Sequence, residues 1–222
     1  MAGSSRTLKI VLLGEGAVGK TSLVRQFVEG KYKDEYITTI GVNVKKKQIE
    51  DMGLTLMLWD IYGQKTRPEL HAANYRGAEG ALVVYDSTRR STFASMASWI
   101  SDLYKVTGKI PVVVLGNKYD LIKEFEREVG AAATAPKEFH AYMQEHHKGV
   151  VEYYQRHFGS VPIFEPVMLA SVLKWAGMGR NEFDRKFPYF QTSAKTGENV
   201  EEAFRTLGML MLGEQDGKQN IA

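Results

Sequence analysis

The sequence predicts an α/β fold: a mostly parallel sheet with helices on both faces, carrying a helical insertion before its last strand. Three observations predict it. Short apolar runs of strand length recur along the chain and stop at glycine or a polar residue. Segments with an apolar residue every three or four positions separate them. One stretch, Leu121 to Lys186, is far longer than the roughly 20–30 residues that a crossover helix and two loops need.

Lys9 to Leu13 ends at Gly14, and such a bounded apolar run reads as a strand buried on both faces. After Thr21, the residues Leu23, Val24, Phe27 and Val28 fall at helical spacing, with Gly30 as the stop. Leu54 to Trp59, Ala81 to Tyr85, Val112 to Leu115 and Phe187 to Phe190 are the further strands. Thr92 to Val106 and Asn199 to Leu212 each carry one apolar stripe of a helix. Strands alternating with helices give a parallel sheet covered on both faces, whose ligands bind at the carboxyl ends of the strands.

Composition narrows the function classes. The 222 residues are 44% hydrophobic and 25% charged, which excludes a disordered or fibrous chain and fits one domain with an insertion. A net charge of +3 gives no support for nucleic-acid binding. No apolar run approaches the roughly 18 residues that span a membrane, and the N-terminus has no signal-peptide pattern. Cysteine is absent, so disulfides, thiolate metal sites, thiol catalysis and cysteine lipidation are excluded. The cytoplasm is the expected compartment.

Four motifs follow strand ends. Gly14-Glu15-Gly16-Ala17-Val18-Gly19-Lys20-Thr21 has the spacing and the strand–loop–helix context of a phosphate-binding loop. Glycines let backbone N–H groups turn inward around an anion, and the next helix points its positive end there. Lys20 is expected to reach the outer phosphates and the Thr21 hydroxyl to hold Mg²⁺. At average composition the pattern arises about once in a hundred chains of this length. Asp60-Ile61-Tyr62-Gly63-Gln64 places a carboxylate at a strand end, able to hold Mg²⁺ through water. Gly63 can offer its N–H to a terminal phosphate, and Gln64 can orient an attacking water. In Asn117-Lys118-Tyr119-Asp120, the Asp120 carboxylate can accept two hydrogen bonds from guanine, whereas adenine offers neither donor there. Lys118 would bridge base and phosphate loop. Ser193-Ala194-Lys195 can present backbone N–H groups to the guanine O6, the weakest signal of the four.

Together these motifs resemble the Ras-like small GTPases, in detail the Rab branch, over Leu8 to about Leu121 and Phe187 to about Leu212. The resemblance implies a P-loop GTPase domain with a six-stranded sheet, residues 8–213, after an N-terminal extension (1–7). The insertion falls at about 122–186 and a short tail at 214–222. It implies Mg²⁺-dependent GTP and GDP binding by Gly14 to Thr21 together with Ser22, and slow hydrolysis with Lys20 and Gln64 as catalytic groups. Tyr36 to Val42 resembles a switch I segment, in which Thr39 would bind Mg²⁺ and the terminal phosphate and Tyr36 would cover the phosphates. Tyr32 takes the place of the aromatic that meets guanine edge-on. Effectors, an exchange factor and an activating protein are implied partners of a monomeric switch in membrane trafficking or a related regulatory role.

The chain departs from that family in particular places. Tyr62 stands where alanine is usual: the phenol either swings out harmlessly or interferes with closing switch II. Val44, Trp59 and Asn74 stand where Rab proteins usually present three aromatics to effectors, and Lys65 where glutamate is usual. Nothing near Ala222 can be prenylated, so membrane attachment is expected through a partner or the insertion, or not at all.

In the insertion, Phe139, Tyr142, Met143, His146, Val150, Tyr153, Tyr154 and His157 form a helical stripe, which Gly149 can divide into two helices. Pro166 to Trp175 is apolar nearly all round. Four of the five histidines lie in the insertion, but no pair has the i, i+4 spacing of a helical zinc motif. A packed helical subdomain and an exposed Met/Trp-rich partner or membrane surface are both open readings. Two rival functions remain in view: a GTP-bound scaffold stalled by Tyr62, and a P-loop nucleotide kinase, against which Asn117 to Asp120 speaks.

Overall fold

The computed structural model describes residues 6–33, 39, 41–61, 68–129, 136–167 and 187–219. Its elements run β1 (Arg6–Leu13), α1 (Lys20–Glu29), β2 (Val42–Ile49), β3 (Leu54–Ile61), α2 (Pro68–Tyr75), β4 (Gly80–Asp86), α3 (Arg90–Ala94) and α4 (Met96–Thr107). Then follow β5 (Val112–Asn117), α5 (Tyr119–Val129), α6 (Pro136–His146), α7 (Lys148–Phe158), β6 (Tyr189–Gln191) and α8 (Val200–Gln219).

The sheet has six strands in the order β2-β3-β1-β4-β5-β6. Every pairing is parallel except β2 with β3. β4 and β5 are buried along their whole length, as unbroken Val/Leu runs require. β2 is a strand that the apolar runs do not predict, because its Lys45, Lys46 and Lys47 obscure any apolar alternation. It lies on the sheet edge, where lysines discourage pairing with a second sheet.

One face of the sheet is covered by α1 and α8, whose Leu23, Phe27, Phe204 and Leu207 join Ile10, Leu56 and Leu82 in one core. The Phe27 and Phe204 rings stack with centroids 4.1 Å apart. The other face packs Met96, Trp99, Ile100 and Leu103 of α4 on Val11, Val83 and Val114. A third cluster belongs to the insertion: Leu121, Ile122 and Phe125 of α5 meet Phe139, Tyr142 and Met143 of α6, Tyr153 and Tyr154 of α7, and Phe164. The described part of the insertion is therefore a packed helical layer on α5.

Differences from the sequence reading have local causes. The stripe from Thr92 to Val106 is two helices that meet at Ser95, whose hydroxyl bonds back to the Ser91 carbonyl at 3.2 Å and competes with the helix ladder. The insertion stripe divides at His147 rather than at Gly149. The last strand starts after Pro188, which has no N–H for the ladder. α8 continues past Leu212 to Gln219. The segment Pro166 to Trp175 lies beyond Val167 outside the described residues. Among the described residues no helix is long and apolar enough to cross a membrane.

The stacked Phe27–Phe204 pair joins two helices to the sheet, so Phe204→Ala should cost about 3–5 kcal/mol of unfolding free energy. Urea denaturation checks it, and a loss under about 1 kcal/mol would contradict the packing described.

Candidate functional site

The carboxyl ends of β1, β3, β4 and β5 and the turn after β6 converge on one edge of the sheet. At β1 the chain must turn sharply beneath β4. Gly14 has φ 134°, and a Cβ there would lie 2.0 Å from the Val84 carbonyl oxygen, so no other residue fits. Gly19 has φ 96°, and its Cβ would meet the Asn117 amide nitrogen at 2.2 Å. These two glycines allow the loop to pass against β4 and β5 before α1 begins.

Asn117 holds the two halves of the site together. Its Nδ2 donates to the Val18 carbonyl at 2.9 Å, and its Oδ1 accepts from the Ala194 N–H at 3.1 Å. One buried amide thus fixes the glycine loop and the 193–195 turn against β5. In the same turn, the Ser193 hydroxyl donates to Asp120 Oδ1 at 2.6 Å and accepts from the Thr196 N–H at 3.1 Å. Asp120 is half-buried, with its carboxylate oriented from the turn side, whereas Lys195 is exposed.

Lys20 is buried and curls back to donate to the carbonyls of Gly14 at 2.7 Å and Glu15 at 2.9 Å. Burial lowers its pKa to about 8, although Asp60 and Glu15 oppose the shift. Next to it, Thr21 Oγ1 lies 2.7 Å from Thr39 Oγ1 and donates to Asp60 Oδ2 at 2.5 Å, and Thr39 Oγ1 is 3.4 Å from the same oxygen. Asp60 Oδ1 is buried without a hydrogen-bond partner, and burial raises the pKa of that carboxyl. Hard oxygen donors with one orphaned buried carboxylate oxygen suit a small divalent cation such as Mg²⁺. Zinc-type clustering is not found: among the described residues no group of three His, Cys, Asp or Glu side chains is placed to hold a metal. His140 accepts from the Phe164 N–H and His157 bonds to the Tyr153 carbonyl, so these two do structural work.

A buried ionic cluster escaped the sequence reading. Asp86, at the end of β4, is fully buried between Arg89 Nε at 2.9 Å and Lys118 Nζ at 2.7 Å. Burial would raise its pKa, but the two cations and the Thr88 hydrogen bond hold it well below the usual carboxylate range. Arg89 Nη2 donates in turn to the Gly16 carbonyl at 2.9 Å. Tyr154 of α7 closes the cluster with its hydroxyl 3.4 Å from both Asp86 Oδ2 and Lys118 Nζ. Trp99 Nε1 donates to Glu15 Oε1 at 3.2 Å and ties the glycine loop to α4. Lys118 itself sits at φ 63°, a conformation uncommon outside glycine.

The structure thus brings Gly14 to Ser22, Asp60, Asn117, Lys118, Asp120 and Ser193 to Lys195 to one edge, with Thr39 beside Thr21. Tyr32 packs partly buried against the α1/α8 core. Tyr36, Tyr62, Gly63 and Gln64 lie outside the described residues.

The model of the Ras family matches residues 9–155 of the chain. The chain belongs to the Ras family. Among its relatives, Ras-related protein Rab-21 of Mus musculus is 38% identical over 159 residues, covering 68% of this chain and 71% of the relative. Ras-related protein Rab-7a of Dictyostelium discoideum is 31% identical over 217 residues, 95% of this chain and 85% of the relative. The Ypt/Rab-type GTPase ypt7 of Schizosaccharomyces pombe is 31% identical over 224 residues, 97% and 88%. This small GTPase is Rab-like, binds GTP and GDP with Mg²⁺, and hydrolyses GTP to GDP and phosphate. As a nucleotide-controlled switch it works with effectors, exchange factors and activating proteins.

Removing Asp86 would strand two buried cations beside each other. Asp86→Ala should therefore destabilise the fold by about 3–5 kcal/mol. The check is the unfolding free energy from chemical denaturation, and a loss under about 1 kcal/mol would show that the cluster is solvated.

Proposed function

We propose that this GTPase is a monomeric switch in membrane trafficking with slow intrinsic hydrolysis, reaching membranes peripherally through a partner or its insertion. The observation that carries the switch reading is the Asn117 amide, which holds a phosphate-type glycine loop and a base-type turn in one frame.

In this reading, the backbone N–H groups from Glu15 to Thr21 and the Lys20 ammonium hold the phosphates, with Ser22 at the start of α1 beside them. Moving Lys20 from the Gly14 and Glu15 carbonyls onto phosphate oxygens exchanges two neutral acceptors for charged ones. Thr21, Thr39 and, through water, Asp60 hold Mg²⁺, which supplies charge neutralisation at the phosphates. Gln64 orients the attacking water, Gly63 donates to the terminal phosphate and Tyr36 covers the phosphates. Asp120 accepts from guanine, its carboxylate aimed by the Ser193 hydroxyl. Tyr32 and Lys118 flank the base, and the 193–195 turn meets its O6. Ala194 donates its N–H to Asn117, so in this geometry that amide serves the frame.

Guanine selection has a direct test. Asp120→Asn reverses half of the hydrogen-bond pattern, so GDP affinity should fall at least about tenfold while xanthosine diphosphate gains. Isothermal titration with both nucleotides checks it, and unchanged GDP affinity would mean that the base pocket lies elsewhere. Catalysis is tested by single-turnover hydrolysis of preloaded GTP. A measurable rate that Gln64→Leu lowers at least about tenfold is expected, and an equal rate in both proteins would remove Gln64 from the mechanism.

The lowered Lys20 pKa adds a pH dependence. The free protein binds fewer protons at Lys20 than the nucleotide complex, whose phosphates favour the ammonium, so affinity should fall as pH rises through about 8. Between pH 7 and 8.5 GDP affinity should drop about fourfold, and the slope should disappear in Lys20→Met.

A further inference from the structure

The insertion does more than fill a gap between β5 and β6, because α7 runs from the base motif to the phosphate loop. His147, just before α7, has Nε2 4.0 Å from Glu124 Oε2, and burial lowers its pKa. At the other end, the Phe158 ring lies 3.5 Å from where a Cβ on Gly16 would stand. Between them is Tyr154, buried to 2% exposure. Its hydroxyl reaches Lys118 and Asp86, and its ring carries the Arg89 guanidinium at 4.9 Å from the centroid. Ala17 of the glycine loop and Tyr119 of the base motif pack on the same apolar cluster as α7.

We propose that α7 clamps the nucleotide site, with Tyr154 as a positioning residue that holds Lys118 and Arg89 and so slows the release of guanine nucleotide. This deepens the nucleotide-switch reading and rests on it. Two connections carry the argument. Lys118 is held in a left-handed backbone conformation whose side chain is anchored by Asp86 and Tyr154, so loss of that anchor lets the base motif relax. Arg89 spans from the Tyr154 ring to the Gly16 carbonyl, so the same side chain steadies the phosphate loop. Burial keeps the Tyr154 phenol protonated across the working pH range, so it remains a donor to Asp86.

The test uses the full chain loaded with fluorescent GDP and chased with unlabelled GDP. Tyr154→Phe keeps the ring and loses the hydroxyl; release should quicken about three- to tenfold while the association rate stays within about twofold. Tyr142→Phe is the comparison, because its hydroxyl bonds to Glu128 at 3.0 Å within the insertion and touches neither motif. Its release rate should match the parent's. Equal acceleration in both variants, or none in Tyr154→Phe, would overturn the clamp. A parent chain that retains no GDP would instead overturn the switch reading itself, and the clamp with it. Should Tyr154→Phe fold poorly, hydrogen exchange on the parent decides: GDP should slow exchange across 148–158, and unchanged exchange there contradicts the clamp.

Discussion

One buried amide organises the site. Asn117 spends its donor on the Val18 carbonyl and its acceptor on the Ala194 N–H, and so it joins three segments that are far apart in the chain. Losing it would leave two buried backbone groups unsatisfied at once, which is why its position dictates so much around it. Gly19 must be glycine because Asn117 occupies the space of any side chain there. Asp120 follows three residues later, where the start of α5 brings it within reach of Ser193.

Around that frame the electrostatics are built for an anion. Lys20 is held buried on carbonyl oxygens, at the cost of a lowered pKa, and Arg89 and Lys118 share the single carboxylate of Asp86. Two cations share one buried anion next to the glycine loop, where the Glu15 carboxylate is a further counter-charge. Beside it, Asp60 keeps one carboxylate oxygen unpaired. Hard oxygen donors at Thr21, Thr39 and Asp60 beside these buried cations suit a ligand that brings phosphate and a divalent cation together.

Much of this was legible in the sequence where glycine and strand endings mark backbone geometry. β1, β3 and β5 contain the apolar runs that mark them as strands, and each is followed by a motif whose residues converge as the parallel topology requires. β2 was hidden because three successive lysines on an edge strand look like a loop. The cluster of Asp86, Arg89, Lys118 and Tyr154 was hidden for a different reason. Its members lie on β4, the turn before α3, the base motif and α7, and no short-range pattern links them. The only local signal was Asp86 followed three residues later by Arg89, at the end of a buried strand. The apolar stripe places Tyr154 on one helix face, but which neighbour that face covers depends on how α7 folds back over α5.

The central claim is that the frame set by Asn117 holds a guanine nucleotide. Its most direct test is to denature freshly purified protein and identify what it releases by anion-exchange chromatography. The account predicts GDP, or GTP where hydrolysis is slow, at close to one equivalent per chain. Release of adenine nucleotide, or protein that purifies empty and takes up GDP no better than ADP in the presence of Mg²⁺, would contradict it.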